Sequence, residues 1–294
     1  MGVYEVLFNP LAGNGQGETE AKTLTARMPE DTLHFHSMTE IADYRAFFEA
    51  IPADHRVILC GGDGTLNRFI NDTEGLSVLQ EIWYFAAGSG NDFLRDTERE
   101  KGCLPFPVGQ YLQELPTVTV AGKAYRFLNG IGYGIDGYCC EVGDAQRLKS
   151  DKPVNYAGIA VKGLLFHYRP TRATVIVDGE EHTFDKVWLA PTMNGRFYGG
   201  GMIPTPRQDR LAKPHRLSVM VMHGSGKLRT LCVFPSIFKG EHVKHTDMVT
   251  VLEGHDITVR FDRPTALQID GETILGVTEH RAVAYAGEPV CAAV

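Results

Sequence analysis

No apolar run in the 294-residue chain approaches the ~20 residues needed to cross a bilayer, so any membrane contact is expected to be peripheral. No CxxC pair occurs. The cysteines stand at Cys60, Cys103, Cys139, Cys140, Cys232 and Cys291, two of them adjacent, a pattern that suggests neither a zinc site nor a disulfide framework. They read as free thiols of a reducing cytosol. Positive charge is in deficit, with 29 Lys and Arg against 36 Asp and Glu and a formal net charge of −7, which argues against a general nucleic-acid binder. The start of the chain lacks a basic n-region and Glu5 interrupts the apolar run Val3–Phe8, so this segment reads as a first strand and not as a signal peptide. Myristoylation at Gly2 would want Ser or Thr where Val6 stands. The best-known nucleotide and hydrolase signatures are missing as well. No GxxxxGK followed by Ser or Thr occurs, because Gly226-Lys227 runs into Leu228, and no GxSxG surrounds Ser89 or Ser225.

What the chain has in excess is glycine, 32 residues, which points to several tight backbone turns. Its length exceeds what one hydrophobic core usually organises, so two domains are expected. The first hundred residues alternate strand-like and helix-like patterns: strands at Val3–Phe8, Leu33–His36, Val57–Cys60 and Trp83–Ala86, with helical patterns at Glu18–Met28, Ile41–Ile51 and from Thr65 onward. Repeated strand, loop and helix units imply a mostly parallel sheet covered on both faces, a three-layer α/β domain. Beyond Thr117 the texture changes to short β-rich runs with few helices, the clearest being Val154–Tyr168, which fits an antiparallel second domain.

Three glycine-rich loops leave the ends of predicted strands: Asn9–Gly17 with Gly13 and Gly15, Gly61-Gly62-Asp63-Gly64-Thr65, and Gly88-Ser89-Gly90-Asn91-Asp92. In an open parallel sheet, ligands sit beyond the carboxyl ends of the strands. Glycines let backbone N–H groups face an anion with no Cβ in the way, and a helix starting near Thr65 adds its N-terminal partial positive charge. Thr65 and Ser89 supply hydroxyls. Three such loops in succession predict a polyphosphate site. Asp63 and Asp92 lie inside these loops, where a carboxylate is costly unless a cation stands between it and the phosphates; Mg²⁺ would remove the conflict. The plainer alternative is that each caps a helix N-terminus. Gly132-Tyr133-Gly134-Ile135-Asp136-Gly137 spells GxGxxG with Asp151 about the right distance on, but it lies where the β-rich half begins and Asp151 sits in a polar segment instead of a strand end, so a dinucleotide reading is set aside. Asp270 and Glu272, two apart, would share a face of a continuing strand, though Gly271 permits a turn between them.

Asn9-Pro10 with Gly13 and Gly15, Gly61–Asn67, Gly88–Phe93, Asn129-Gly130 through Asp136, Gly199–Met202 followed by Pro204, and Ile269-Asp270-Gly271-Glu272 resemble, in order, motifs of the diacylglycerol kinase catalytic-domain family, which includes bacterial soluble lipid kinases and sphingosine kinases. The matches run over about nine-tenths of the chain. The resemblance implies an ATP-binding α/β domain over residues 1–122, rejoined by 283–294, and a β-sandwich acceptor domain over 123–282, with the active site in the cleft between them. It implies transfer of the γ-phosphoryl group of ATP, with Mg²⁺, to a lipid hydroxyl. Asn9, Gly13, Gly15, Thr39, Gly61, Gly62, Asp63, Gly64, Thr65, Asn67, Ser89 and Asn91 correspond to nucleotide-binding positions. Glu272 corresponds to the general base, Asp270 is its companion carboxylate, and Asp63 and Asp92 belong to the metal network. A cytoplasmic protein, peripheral at the inner face of the membrane, is implied. A kinase of a soluble acceptor, as in NAD kinases, and a nucleotide-binding regulator without catalysis are the alternatives.

The sequence departs from the family pattern in places. Arg68 stands where a Glu is usual, Val118 or Thr119 where an Asp is usual, and Asp209–Ser218 lacks the segment that holds a structural magnesium, so that metal is not expected. Two basic groups, Arg147, Lys149, Lys152, Lys162, Arg169 and Arg172, then Arg196, Arg207, Arg210, Lys213 and Arg216, are candidate patches for an anionic membrane. His34 and His36, like His242 and His245, have no acidic or cysteine partner at metal-ligand spacing and read as surface or edge-strand residues.

Overall fold

The computed structural model describes residues 2–88, 90–147, 154 and 156–287, and the chain divides into two compact units, Met1–Gln113 and Glu114–Val294. The first is the expected α/β unit. Its five-stranded sheet contains β1 (Val3–Phe8), β2 (Thr32–Ser37), β3 (Arg56–Gly61), β4 (Glu81–Ala86) and β5 (Phe106–Pro107), in the order β2-β1-β3-β4-β5. All pairs are parallel except β4 with β5. The near-continuous apolar runs of β1 and β3 follow from burial on both faces: Val6, Leu7, Val57, Ile58, Leu59 and Cys60 are fully buried. Burial pushes the Cys60 thiol up to about 12, so it is an inert core residue. The helical pattern predicted over 18–28 resolves into two short pieces, α1 (Gly17–Lys22) and α2 (Leu24–Arg27). α3 (Tyr44–Ala50) starts at Asp43, whose side chain accepts the N–H groups of Arg45 and Ala46 at 2.8 and 3.2 Å. α4 (Asp63–Asp72) and α5 (Asp92–Asp96) start directly after β3 and after the loop that follows β4.

The second unit is antiparallel β, as expected. Its ten-stranded sheet includes β6 (Thr117–Val120), β7 (Lys123–Arg126), β8 (Gly130–Tyr133), β9 (Thr171–Val177), β10 (Glu180–Val187), β11 (Thr192–Met193), β12 (Leu217–Met222) and β13 (Val249–Gly254). Its centre is the long hairpin β14 (Asp256–Ile269) and β15 (Glu272–Val283), with β14 pairing also to β8 and β9. One core lies around Phe127, Tyr133, Phe261, Leu267 and Val277; the Tyr133 and Phe261 rings stack at 3.9 Å. A second core gathers Trp188, Met220, Met222 and Ile237 against α6 (Ile135–Arg147) and α7 (Tyr156–Lys162), after which a π-turn, Gly163–His167, ends the helix predicted over 154–168. Residues 283–287 continue this unit, with Val283 paired to Thr117 and the Ala284 N–H donating to the His255 carbonyl. The rest of the segment expected to rejoin the first unit, 288–294, lies outside the described residues.

The GxGxxG segment is a strand-to-helix packing device. A Cβ on Gly132 would overlap the Asp136 carboxylate, one on Gly137 would overlap the Ala266 carbonyl, and Gly134 holds φ +105° with the Trp188 carbonyl 2.6 Å from where its Cβ would be. Each glycine allows a close approach of β8 and α6 to the rest of the sheet.

Candidate functional site

Parallel pairing puts the carboxyl ends of β2, β1, β3 and β4 side by side, and with them every candidate nucleotide residue of the first unit outside position 89. Asn9 follows β1. Its side chain donates to Thr65 Oγ1 at 3.3 Å, its own Oδ1 accepts the Leu11 N–H at 3.0 Å, and its backbone N–H donates to the Cys60 carbonyl. Gly13 and Gly15, at φ +57° and +82°, turn the chain back into α1. Thr39, beyond β2, is exposed and lies 2.8 Å from Ser37 through its hydroxyl. Thr65 and Asn67 are buried in the first turns of α4. Ser89 lies outside the described residues.

The loops after β3 and β4 touch backbone to backbone. A Cβ on Gly62 would stand 2.9 Å from the Gly88 Cα, and the reverse substitution is tighter still. Gly61 is equally constrained, because Thr65 occupies the space where its Cβ would go. Gly64 differs: nothing lies within 4 Å of its would-be Cβ, so the space over the first turn of α4 is open. Gly62 is the N-cap of that helix and contributes no side-chain acceptor, and the partial positive charge of a helix N-terminus favours an anion there. Asn91 adopts the left-handed conformation at φ 52°, donates to the Gly88 carbonyl at 2.8 Å, and keeps its Oδ1 buried without a partner.

The two loop carboxylates have defined places. Asp63 Oδ2 accepts the N–H of Asp92 at 2.9 Å and Oδ1 accepts the N–H of Phe93 at 2.8 Å, so Asp63 caps α5 from across the loop pair. Asp92 is 4% exposed and accepts from Arg95 at 3.1 Å. Arg68, the charge reversal beside the loop, points along its own helix to Asp72 at 3.2 Å and is exposed.

In the second unit the Asp270-Gly271 pair is the two-residue turn of the β14–β15 hairpin, both with positive φ, 46° and 99°, and Ile269 faces Glu272 across it. The turn therefore separates the two candidate carboxylates. Asp270 is 9% exposed; its Oδ1 accepts the N–H groups of Asn129 and Gly130 at 2.8 and 3.0 Å and its Oδ2 that of Leu128 at 2.5 Å. Glu272 is exposed. The turn is held further by Gly271 N–H to Gln268 Oε1, 2.6 Å, and by Gln268 Nε2 to Asp136 Oδ2, 2.9 Å. Burial raises the Asp136 carboxyl to about 6, against the lowering effect of the Gln268 bond. The loop Gly199-Gly200-Gly201 holds positive φ at all three residues and closes with Tyr198 and Met202 exchanging backbone bonds.

Sequence reading missed three things here. Arg210 is not part of a surface patch: it is 8% exposed and donates to the Leu128 carbonyl and Asn129 Oδ1, buttressing the segment that Asp270 binds. His242 is fully buried with its Nε2 2.9 Å from the Pro204 carbonyl. His34 and His36 do have an acidic partner, the buried Glu5, shared with His55. Each pairing joins residues far apart in sequence, so spacing carried no signal. Of the basic groups, Lys149 and Lys152 lie outside the described residues, and Lys213 pairs with Glu114.

A family model described as the diacylglycerol kinase catalytic domain matches residues 4–116, and one described as the YegS C-terminal NAD kinase beta sandwich-like domain matches residues 129–285. The chain is 24% identical over 261 residues to a diacylglycerol kinase of Mycobacterium tuberculosis, covering 85% of this chain and 82% of the relative. It is 25% identical over 306 residues to YtlR, a candidate lipid kinase of Bacillus subtilis, covering 94% of each. The crystal structure of a candidate diacylglycerol kinase from Bacillus anthracis superposes with a TM-score of 0.65 at 20% identity, over 96% of this chain and 91% of that one.

Proposed function

Because the chain belongs to the family that joins a diacylglycerol kinase catalytic domain to a YegS-type C-terminal β-sandwich, we propose that it transfers the γ-phosphoryl group of ATP to the hydroxyl of a lipid alcohol. The observation that carries this reading is the Gly62–Gly88 contact. It aligns two glycine loops beside the open N-terminus of α4, on the sheet edge where Asn9 and Thr39 also lie. That edge offers backbone donors and hydroxyls to a polyphosphate and leaves the space over Gly64 clear for it. Magnesium accompanying ATP would offset phosphate charge, with Asp63 and Asp92 meeting its water shell.

In the transfer, the lipid oxygen attacks the γ-phosphorus, its proton passes to Glu272, and the bond to the bridging oxygen breaks to release ADP. Glu272 suits the base because it is exposed and its carboxylate forms no hydrogen bond or ion pair among the described residues, while Asp270, turned into the backbone of 128–130, positions it. Peripheral membrane contact belongs to the same proposal. Phe166, Val161 and Leu275, 73%, 44% and 63% exposed, lie on the second unit with Lys162, Arg169 and Arg172 close to the first two in sequence. A recess of about 360 Å³ lined by Tyr138, Tyr168, Arg263 and Leu275 opens along the hairpin that carries Glu272.

The test is incubation with labelled ATP and Mg²⁺, with total membrane lipid in one arm and NAD in the other. A labelled, extractable lipid supports the proposal. A labelled NAD, or ATP binding with no labelled acceptor, overturns it.

A further inference from the structure

The first unit holds a second cluster of chemically active side chains, away from the glycine loops. Glu5 is the one charged residue within β1 and is 5% exposed. In the parallel register it faces His34 of β2 on one side and Val57 of β3 on the other; His36 and His55 are each two residues removed from those partners, so all four side chains share one face. His34 Nδ1 lies 3.0 Å and His55 Nδ1 2.8 Å from Glu5 Oε1, and His36 Nε2 lies 2.6 Å from Oε2. The opposite face carries a separate group, with Arg56 over the rings of Tyr4 and Trp83. No lysine or arginine bonds to Glu5, whose carboxylate meets only imidazoles among the described residues.

We propose that Glu5, His34 and His55 form a binding site for a borderline-soft divalent cation of the zinc class. The three donor atoms lie within 4.8 Å of one another. Zinc ligands at about 2.0–2.2 Å stand about 3.3 Å apart in a tetrahedron, so the two separations from Glu5, 3.0 and 2.8 Å, need to open by only a few tenths of an ångström to admit the ion. One carboxylate with two imidazoles leaves a fourth position for water or for His36. Imidazole donors favour zinc, nickel or copper over magnesium, which takes oxygen ligands. The site is thus chemically distinct from a magnesium ion travelling with ATP. It is distant too: four residues of strand, about 13 Å, separate Glu5 from Asn9. Its ligands come from β1, from β2 and from the residue preceding β3, so bound metal would clamp three chain segments together. This inference is independent of the proposed kinase activity.

The experiment is calorimetric titration of the chelator-treated whole chain with Zn²⁺, with Mg²⁺ as a parallel titrant and Co²⁺ read by visible absorption. Expected are one equivalent of Zn²⁺ that Mg²⁺ does not displace, a Co²⁺ spectrum with the intense bands of four-coordination, and a thermal midpoint raised by several degrees. The paired substitution His34→Gln with His55→Gln should weaken Zn²⁺ by more than about 100-fold, since loss of outer-shell partners alone costs 10–100-fold. Glu5→Gln, which keeps the size of the buried group, should do the same and stands in if the histidine variant fails to fold. Absence of Zn²⁺ binding by the unmodified protein overturns the proposal. So does Zn²⁺ binding that survives in the folded variants unchanged, which would place the ion elsewhere or leave the cluster a set of hydrogen bonds only.

Discussion

The carboxylate of Asp63, at the start of one helix, accepts the backbone N–H of Phe93, in the first turn of another, at 2.8 Å. With its second oxygen on Asp92, the side chain ties the loop after β3 to the loop after β4. Asp63→Ala is expected to lose about 1–2 kcal/mol, the usual value of an N-cap, and to lose ATP affinity because the loops no longer hold their spacing. Asp63→Asn, which keeps one acceptor oxygen, should fall between. Urea melts and ATP titration of both variants check this; ATP affinity unchanged in the alanine variant would refute the positional role.

Gly88→Ala is expected to be the more damaging of two small changes. The added methyl would meet the Gly62 backbone, which cannot yield as a side-chain tip can, whereas Gly64→Ala enters open space. The first should abolish nucleotide binding and the second should leave folding intact, as read by ATP titration beside circular dichroism.

Two carboxylates two positions apart should answer differently to removal. Glu272→Gln is expected to lower kcat by a factor of roughly 10²–10⁴, the range for a lost general base, with no change in the unfolding midpoint. Asp270→Ala strands three buried N–H groups and should cost on the order of 3 kcal/mol or more. Kinetics and denaturant melts on the pair separate the roles; equal stability of the two variants would refute the assignment.

Arg68→Ala is expected to change stability by less than about 0.5 kcal/mol, because an exposed i,i+4 pair contributes little. ATP affinity should be unchanged, since the guanidinium turns to Asp72. A large drop in affinity would show that Arg68 reaches the nucleotide.

Two buried groups of the second unit oppose one another in acid. Burial lowers the His280 imidazole to about 3 from 6.5, so the unfolded chain takes up its proton first and stability is lost as pH falls from 6.5 towards 3. Burial raises Asp136 to about 6 from 3.8, so its contribution is present in full below 3.8 and is lost as pH rises through 6. Between about 4 and 6 the slopes cancel, each roughly 1 kcal/mol per pH unit. Asp136→Asn should expose the histidine slope and become less stable on acidification; His280→Gln should become more stable relative to its value at pH 7. Urea midpoints at pH 4, 5, 6 and 7 decide the signs.

The glycine loops could be located from sequence because their physics is local. A strand, a glycine at its end and a helix start lie within a few residues of one another, and the parallel sheet then lines them up. The Asp-Gly turn at 270–271 was open as a possibility for the same reason. The partners of Asp63 and Asp270 were not legible. Sequence gives the residue type of a cap but not that the N–H groups it caps lie 29 residues away, or about 140. The Glu5 cluster shows the limit most clearly. Ligand spacing is a rule for sites built on one element, while His34 and His55 meet Glu5 only through strand register.

The anchoring of Asp270 on Leu128, Asn129 and Gly130 spans 142, 141 and 140 residues respectively. During synthesis, at roughly 5–20 residues per second, the N–H groups that start β8 wait some 7–30 s for their acceptor to be made. Until then the strand between β11 and β14 has one neighbour and an open edge, the condition under which strands pair with other chains. Truncation ahead of residue 256 would make that waiting state permanent, so such fragments should aggregate while the α/β unit, finished by residue 113, has no comparable delay.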